Sequence, residues 1–271
     1  RRSPQFHPLR FPSDELRSMC GRFALTANAS TLSAHFDTEI RITLTPRFNI
    51  APSQKILVIR VHPQQQTKQQ TQQQKRESAS LQWGLIPSWA DDRSIGARLT
   101  NARAETAAAK PSFRDSFRRR RCLIPAHGFY EWTTSEKRKQ PYFIRLISNE
   151  PFGIGGLWDS WEDNGERIET CTILTCAANQ AMQHLHQRMP VVIQPERYDA
   201  WLSPATELKN LSQDLLPFSD ETTSISQVSD YVNDVRHDSI RCQTPYSDSN
   251  QAKVRHKAQL PTASQKLLFQ K

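Results

Sequence analysis

The pentapeptide MCGRF at residues 19–23 marks the point where the folded part of this chain is expected to begin. The RFAL pattern that starts inside it predicts a strand, and a helix is predicted over residues 30–37 with Asn28 or Ser30 as its cap. The eighteen residues in front are rich in arginine, contain three prolines and lack the apolar stretch of a secretory signal. We therefore expect residues 1–18 to be an unstructured lead from an upstream-extended reading frame, absent from the mature protein.

The composition is that of a basic globular chain diluted by polar segments. The 271 residues carry a net charge of +9 and a sequence pI near 9.5, a balance that suits a polyanionic partner, most often nucleic acid. A generally basic protein without such a partner has the same composition. Hydrophobic residues make up 37%, fewer than in a typical compact domain, yet six tryptophans and twelve phenylalanines predict a real core.

The pattern along the chain predicts one α+β domain over residues 19–242. A glutamine-rich tract over about residues 63–78 interrupts two strand patterns and has too little apolar surface to become ordered, so we interpret it as a disordered insert. Residues 243–271 have the composition of a disordered basic tail. Strands and helices are interleaved without a regular βαβ period, which favours α+β over a doubly wound sheet.

The individual elements follow from hydrophobic periodicity and from helix and strand breakers. Strands are predicted over residues 55–61, 81–83, 122–124, 142–147, 152–158, 170–176 and 228–235. Helices are predicted over residues 102–109, 179–185 and 195–202, a basic helix or a helix–strand turn over residues 114–121, and an extended loop bracketed by prolines over residues 46–52. The predicted core residues include Trp158, Trp161, Cys171 and Cys176.

The cysteines indicate neither a disulfide framework nor a metal site. There are five of them, an odd number, and no Cys-x-x-Cys spacing occurs. This usage favours a reducing compartment, so we expect a cytoplasmic or nucleoid-associated protein, or a nuclear one in a eukaryote. No run of eighteen apolar residues is present, so no membrane span is predicted, and we expect no metal, no cofactor and a monomer.

Cys20 has unusual chemical potential because it follows Met19. If Met19 were the start, its removal would leave a terminal cysteine with a thiol and an α-amine on adjacent carbons. The α-amine has a reference pKa of about 8, so part of it is neutral at physiological pH. Such a pair can capture an aldehyde, since the amine forms a Schiff base and the thiol closes it to a thiazolidine. The residues before Cys20 would block this reaction.

Further motifs give this chemistry a context. They are NARAET at 101–106, PAHGFYEW at 125–132, HLHQRMP at 184–190 and WGLIPSW at 83–89. With MCGRF they occur in the order found in the SRAP family (SOS-response-associated peptidase), and the chain resembles that family from about Met19 to Cys242. Bacterial and eukaryotic members of the family are abasic-site processing proteins.

The resemblance implies a single α+β SRAP-type domain with a β-barrel-like antiparallel core flanked by helices. It also implies binding of single-stranded DNA and covalent capture of an abasic site. The positions matching the family's catalytic residues are Cys20, Asn101, Glu131 and His186. Those matching arginines that face the DNA backbone are Arg22, Arg103 and Arg188.

The residue types suit the reaction. An abasic sugar reacts only as the open aldehyde, and His186 can open the ring because imidazole acts as acid and base near neutral pH. Glu131 can take the proton from the Cys20 ammonium and return it as water leaves. Asn101 can orient the amine or the sugar without titrating. Ring closure by the thiol is intramolecular, and it should suppress the lyase outcome, which is β-elimination from the Schiff base.

A DNA surface is predicted from a basic cluster and several tryptophans. Arg118 and Arg119 belong to the run at residues 118–121, which together with Arg114 is interpreted as a phosphate-binding patch. The rings of Trp83, Trp89 and Trp132 are candidates for stacking on bases. The arginine run is also compatible with a solvated face or a nuclear-localisation patch.

Several alternatives stay open. Asn101 can instead cap a helix, His184 competes with His186 for the acid–base role, and His127 is better explained as a loop residue. A cysteine-dependent autopeptidase would cleave before Cys20 and release the lead. A non-catalytic nucleic-acid-binding module would bind single strands with or without an abasic site.

Overall fold

The computed structural model describes residues 20–61, 75–135 and 138–247. Within them the chain forms thirteen strands: β1 Arg22–Leu25, β2 Arg47–Ile50, β3 Lys55–Arg60, β4 Glu77–Trp83, β5 Asn101–Arg103, β6 Arg121–Ala126, β7 Gly128–Ser135, β8 Arg138–Leu146, β9 Phe152–Asp163, β10 Glu166–Ala177, β11 Arg188–Pro190, β12 Val192–Ile193 and β13 Thr223–Gln227. The α-helices of the described part are α1 Ala29–Phe36, α2 Ala104–Ala107, α3 Arg114–Arg119 and α4 Tyr198–Leu202. Short 3-10 segments occupy Arg93–Arg98, Pro195–Arg197, Leu208–Asp214, Asp220–Thr222, Asp230–Asn233 and Ile240–Gln243.

The strands form two sheets that share one core. The five-stranded sheet has the order β13-β8-β7-β1-β2, and the eight-stranded sheet has the order β11-β10-β4-β3-β6-β9-β12, with β5 paired to β10. Apolar side chains from both sheets, such as Phe129 and Val58, join one buried cluster. This barrel-like α+β domain confirms the predicted fold class. The pairing is antiparallel except where β10 runs parallel to β4 and β5.

The local patterns located most elements. Helix α1 begins after Asn28, whose side chain accepts a hydrogen bond from the Thr31 amide, so Asn28 and not Ser30 is the cap. Trp158 and Trp161 are buried, as predicted, and so are all five cysteines, which are free thiols.

Four element predictions were wrong. Residues 46–52 contain strand β2, which pairs with β1, and α2 is only four residues long because Asn101–Arg103 pairs with β10 first. Residues 179–185 form turns instead of a helix. The strand predicted over 228–235 is absent from this described stretch, which contains the 3-10 segment Asp230–Asn233 instead. For the first two segments, strand pairing with distant parts of the chain decided the outcome over the local pattern.

The ends of the predicted disordered segments are ordered. Strand β4 begins at Glu77, opposite Arg60, so the predicted insert is too long at its end. Pro245 bridges to Val228, which extends the packed chain beyond the predicted tail boundary. Most of the lead, the insert and the tail lies outside the described residues. Among the described helices, none is long and apolar enough to span a bilayer.

Candidate active site around Cys20

Cys20 and Glu131 are brought together by the pairing of β1 with β7. Arg22 lies opposite Tyr130 in this antiparallel pair, so the residue after Tyr130 lies beside the residues that precede Arg22. The Cys20 backbone N–H donates a hydrogen bond of 2.9 Å to Glu131 Oε1. Both residues are buried, and Cys20 has a positive φ of 27°, which few non-glycine residues adopt. The Cys20 nitrogen is therefore held on a carboxyl group in a dry environment.

Burial changes the protonation of both groups. It raises the pKa of Glu131 to about 8, and the hydrogen bonds from the Cys20 and Trp132 amides offset only part of this effect. Burial, with a smaller contribution from the Glu131 charge, raises the pKa of the Cys20 thiol well above its ordinary value. Near neutral pH both the protonated and the ionised carboxyl are therefore accessible, while the sulfur stays a thiol.

Strand β10 aligns the two other motifs. Asn101 lies opposite Ile173 and Arg103 opposite Thr175 in the parallel pair of β5 with β10. Thr175 also pairs with Pro190 of β11. The chain segments that carry Asn101 and His186 therefore flank the same end of β10. Asn101 is a strand residue and Arg103 precedes α2, so the alternative of a helix cap at Asn101 was wrong.

The backbone of Arg188 holds the ring of His186 in place. Its Nδ1 lies 3.0 Å from both the amide nitrogen and the carbonyl oxygen of Arg188. A ring with its hydrogen on Nδ1 donates to the carbonyl, and the other tautomer accepts from the amide, so Arg188 holds the ring in either tautomer. His184 is exposed in the preceding turn, which places the two histidines in different surroundings.

Arg188 is engaged with protein and not free for DNA. Its guanidinium donates to both oxygens of Glu105, at 2.6 and 2.8 Å, and to the Thr175 carbonyl at 2.6 Å. Only 16% of the Arg188 side chain is exposed. In this conformation the forked face that would bind a phosphate is occupied, so the predicted backbone contact needs Glu105 to leave.

Trp83 joins the two halves of the site from below the surface. Its indole N–H donates 2.8 Å to the Thr100 carbonyl, next to Asn101, and its ring packs edge-on against Phe23 at 5.4 Å. The side chain is fully buried, so the predicted stacking of Trp83 on DNA bases was wrong. The tryptophan fixes β1 relative to the Asn101 segment instead.

The loop between Trp83 and Asn101 closes tightly on itself. Gly84 has a φ of +131°, and a Cβ atom there would lie 2.6 Å from the Gly96 carbonyl oxygen. Only glycine fits this conformation and this contact. The loop places Trp89 at the surface, and the contact between Gly84 and Gly96 brings the chain back towards β5.

Arg22 is held by a C-terminal segment. Its guanidinium donates to Asn49 Oδ1 at 2.8 Å and to the Val232 carbonyl at 3.0 Å, and burial lowers its pKa. The side-chain Nδ2 of Asn49 also donates to the carbonyls of Val232, Asp234 and His237. Sequence reasoning missed Asn49 because its segment was interpreted as a loop. Its polar side chain within an apolar run, PRFNIAP, was the available signal.

Comparison with known proteins identifies the family. A family model described as SOS response associated peptidase (SRAP) matches residues 19–235. The chain belongs to the SRAP family. The abasic site processing protein YoqW of Bacillus subtilis is 37% identical over 227 residues, which cover 82% of this chain and 97% of YoqW. The abasic site processing protein HMCES of Gallus gallus is 30% identical over 266 residues, 84% of this chain and 78% of HMCES.

Solved structures share the SRAP fold of this chain. A protein from Bacteroides thetaiotaomicron superposes with a TM-score of 0.72 at 24% identity, covering 84% of this chain and all of that one. At this identity the likeness concerns the fold. In the described part of this SRAP chain, no group of three His, Cys, Asp or Glu side chains is placed to hold a metal ion.

The other predicted surface residues of this SRAP domain differ in exposure. Trp89 is 55% exposed, and the side chains of Arg103, Arg118 and Arg119 are exposed as well. Arg121 is buried and donates to backbone carbonyls that include Phe117 and Trp201, so its inclusion in the phosphate-binding patch was wrong. Its neighbour Arg120 pairs with Asp159 and is mostly covered.

Proposed function

We propose that this chain processes abasic sites in single-stranded DNA, forming a thiazolidine crosslink through the nitrogen and sulfur of Cys20. The proposal concerns a form that begins at Cys20, which carries a free α-amine. The relatives named abasic site processing proteins support the substrate. The observation that carries the mechanism is the buried Cys20–Glu131 contact of 2.9 Å.

The sugar must first open. In the closed form the C1′ hydroxyl and the ring oxygen share one carbon, and opening moves a proton from the hydroxyl to the ring oxygen. His186 is assigned this transfer because imidazole is a general acid and base and its Nδ1 is held by the Arg188 backbone, which leaves Nε2 for the sugar. The product is the aldehyde that the amine can attack.

Glu131 manages the protons of Schiff-base formation. Its carboxylate takes a proton from the Cys20 ammonium, and the neutral amine adds to C1′ to give a carbinolamine. The carboxylic acid then returns a proton to the departing hydroxyl, water leaves, and an iminium forms. Burial raises the pKa of Glu131 to about 8 in the uncut chain, and the adjacent ammonium of the cut form would lower it, so the carboxyl can serve both steps near neutral pH.

The thiol completes the ring. Cys20 Sγ adds to the iminium carbon, the thiol proton passes to the carboxylate that Glu131 became when water left, and the nitrogen becomes a neutral secondary amine. Burial raises the pKa of this thiol, so it enters the reaction protonated. The step joins groups on adjacent carbons, which gives it a large effective concentration. Asn101 is assigned to orient the sugar, and exposed Trp89, Arg103, Arg118 and Arg119 to hold the strand.

The same contact favours a second candidate function, autoproteolysis before Cys20. In the uncut chain the nitrogen on Glu131 is that of the Met19–Cys20 peptide bond. Sγ would attack the Met19 carbonyl carbon while the thiol proton passes to the Glu131 carboxylate, the C–N bond would break to leave a thioester, and the nitrogen would take that proton from Glu131. Water would then hydrolyse the thioester. Intact mass tests this idea, because a purified chain that retains its lead excludes efficient self-cleavage.

The decisive experiment uses a chain that begins at Cys20. It is mixed with single-stranded oligonucleotide containing one abasic site, without borohydride, and heat-stable adducts are counted on a denaturing gel. We expect an adduct with the active form and none with C20S or with an uncut chain. Equal affinity for damaged and intact strands without any adduct would support a non-catalytic binding module instead.

A further inference from the structure

A buried carboxylate, Asp159 in β9, joins two surface elements that are far apart in sequence. Its Oδ2 accepts hydrogen bonds from the Ser88 amide at 3.1 Å and from the Ser116 hydroxyl at 3.4 Å. Its Oδ1 accepts the Ser160 amide at 2.8 Å and lies 3.3 Å from Arg120 Nε. Only 4% of Asp159 is exposed. One oxygen thus contacts both the loop after β4 and helix α3.

The loop that contacts Asp159 presents Trp89 to solvent. Ser88 precedes this tryptophan, and Ala90, which follows it, accepts a hydrogen bond of 2.7 Å from the Trp161 indole. Both neighbours of Trp89 are therefore anchored, while its ring is 55% exposed. A large exposed aromatic ring on a fixed loop has the geometry of a stacking platform.

Helix α3 presents its arginines in an equally fixed position. Buried Arg121 donates to the carbonyls of Phe117 and Arg118, which satisfies the last turn of the helix. Ser116 and Arg120 hold the same helix to Asp159. Arg118 and Arg119 point outward and are exposed. The ion pair of Asp159 is with Arg120, so its charge is not paired with Arg118 or Arg119.

We infer that Asp159 is a positioning residue that couples Trp89 to the arginines of α3, making one surface for the strand that flanks the abasic nucleotide. The inference rests on the proposed function. Trp89 would stack on a base, and Arg118 and Arg119 would contact phosphates. This combination fits single-stranded DNA of any sequence, since every base has a ring face and every nucleotide a phosphate.

The surface is tested first with an intact single-stranded oligonucleotide and no abasic site. We expect W89A to weaken binding about tenfold. R118Q/R119Q should also weaken it and reduce the slope of log affinity against log salt by about 1.4, the value for two phosphate contacts on single strands. The matched control R41Q/K209Q removes two exposed charges from other segments. It should leave the slope of log affinity against log salt unchanged.

The role of Asp159 is tested with D159N, which preserves shape but removes the charge. In the form beginning at Cys20, the abasic-strand concentration giving half-maximal crosslinking should rise at least fivefold, more than the maximal rate falls. DNA quenches tryptophan fluorescence, and the part of this quenching that is lost in W89F reports on Trp89. This Trp89-dependent quenching should be smaller in D159N than in the unsubstituted chain. If D159N does not fold, S116A removes one contact to the same oxygen and should give the same changes with smaller size.

The outcomes separate this inference from the proposed function. Normal affinity in W89A and R118Q/R119Q, with crosslinking intact, would overturn the surface and leave the chemistry standing. So would binding of an acidic protein, but not of DNA, through the same residues. If W89A and R118Q/R119Q bind DNA more weakly but the unsubstituted chain forms no crosslink, the surface is retained and the proposed chemistry is rejected. Loss of maximal rate alone in D159N would reject coupling through Asp159.

Discussion

Glu105 and Arg188 form a two-pronged ion pair that ties the NARAET segment to the segment containing His186. Both carboxylate oxygens accept from the guanidinium, which also donates to the Thr175 carbonyl of β10. The pair bridges α2 and β11 across the end of the central strand. Its effect is to fix the relative position of two motifs that supply candidate catalytic groups.

The first prediction is that E105Q raises the activation free energy of crosslinking by more than it lowers the free energy of unfolding. Half of the Glu105 side chain is exposed, so the pair contributes only about 1 kcal/mol or less to stability. A neutral amide loses the two-pronged contact, and we expect the maximal crosslinking rate to fall roughly tenfold, about 1.4 kcal/mol. Rapid-quench gels measure the rate and urea titration the stability. An unchanged rate would contradict the positioning role, and E207Q serves as the matched surface control.

The pH dependence of this pair has a defined sign. Arg188 lowers the pKa of Glu105, chiefly through the side-chain hydrogen bond. The stabilisation is therefore present above the unfolded-state pKa of about 4.3 and is lost as pH falls through the lower folded-state value. Melting curves between pH 3 and pH 6, each fixed to about 0.1 unit, should converge for wild type and E105Q at the acid end.

The second prediction concerns Glu131 and stability at the opposite end of the pH scale. Burial raises its pKa to about 8, so its contribution is fully present below the unfolded-state pKa and is lost as pH rises towards 8. Glutamine cannot ionise. We expect the melting temperature of wild type to fall more than that of E131Q between about pH 5 and 8. Parallel curves for the two proteins would show that the carboxyl is not desolvated.

The third prediction contrasts two tryptophans of one motif. W83F removes a buried indole and its hydrogen bond to Thr100, so we expect a loss of about 2–3 kcal/mol in the free energy of unfolding. W89F changes an exposed ring and should stay within about 0.5 kcal/mol. Chemical denaturation measures both. Similar losses for the two variants would contradict the assignment of Trp83 to the core.

The fourth prediction concerns thiol reactivity in the uncut chain. All five cysteines are free and buried, and burial raises the pKa of each thiol. An aromatic disulfide reagent should find no fast-reacting thiol in the native protein and all five in denaturant. A single fast thiol, located by mass spectrometry, would show which cysteine the fold leaves accessible.

Sequence reasoning succeeded where a residue's surroundings are local. The alternating or apolar runs of β3 and β9 and the capped start of α1 were predicted because their patterns are contained within a few residues. The motif match placed Cys20 and Glu131 on the list of site residues. Their contact was not predicted, since it depends on the pairing of strands more than a hundred residues apart.

The failures share a physical cause. Trp83 was assigned to the DNA surface because the sequence of an aromatic motif does not show whether each ring faces the solvent or the core. Asn49, Glu105 and Asp159 were missed because each is a single polar residue whose partners come from other elements. A buried polar group acquires its role from the donors that converge on it, and convergence is a property of the fold.

Under the proposed function, the Cys20–Glu131 hydrogen bond has a consequence for how the protein would become active. The nitrogen lies against the carboxyl group proposed to accept its proton while it is still part of a peptide bond, so removal of the preceding residues need not rearrange the surroundings. Release of the preceding residues would convert a dormant molecule into a reactive one by changing a single covalent bond. A cell that stored the uncut chain would hold a folded reserve, and the supply of active protein would follow the rate of trimming and not of refolding.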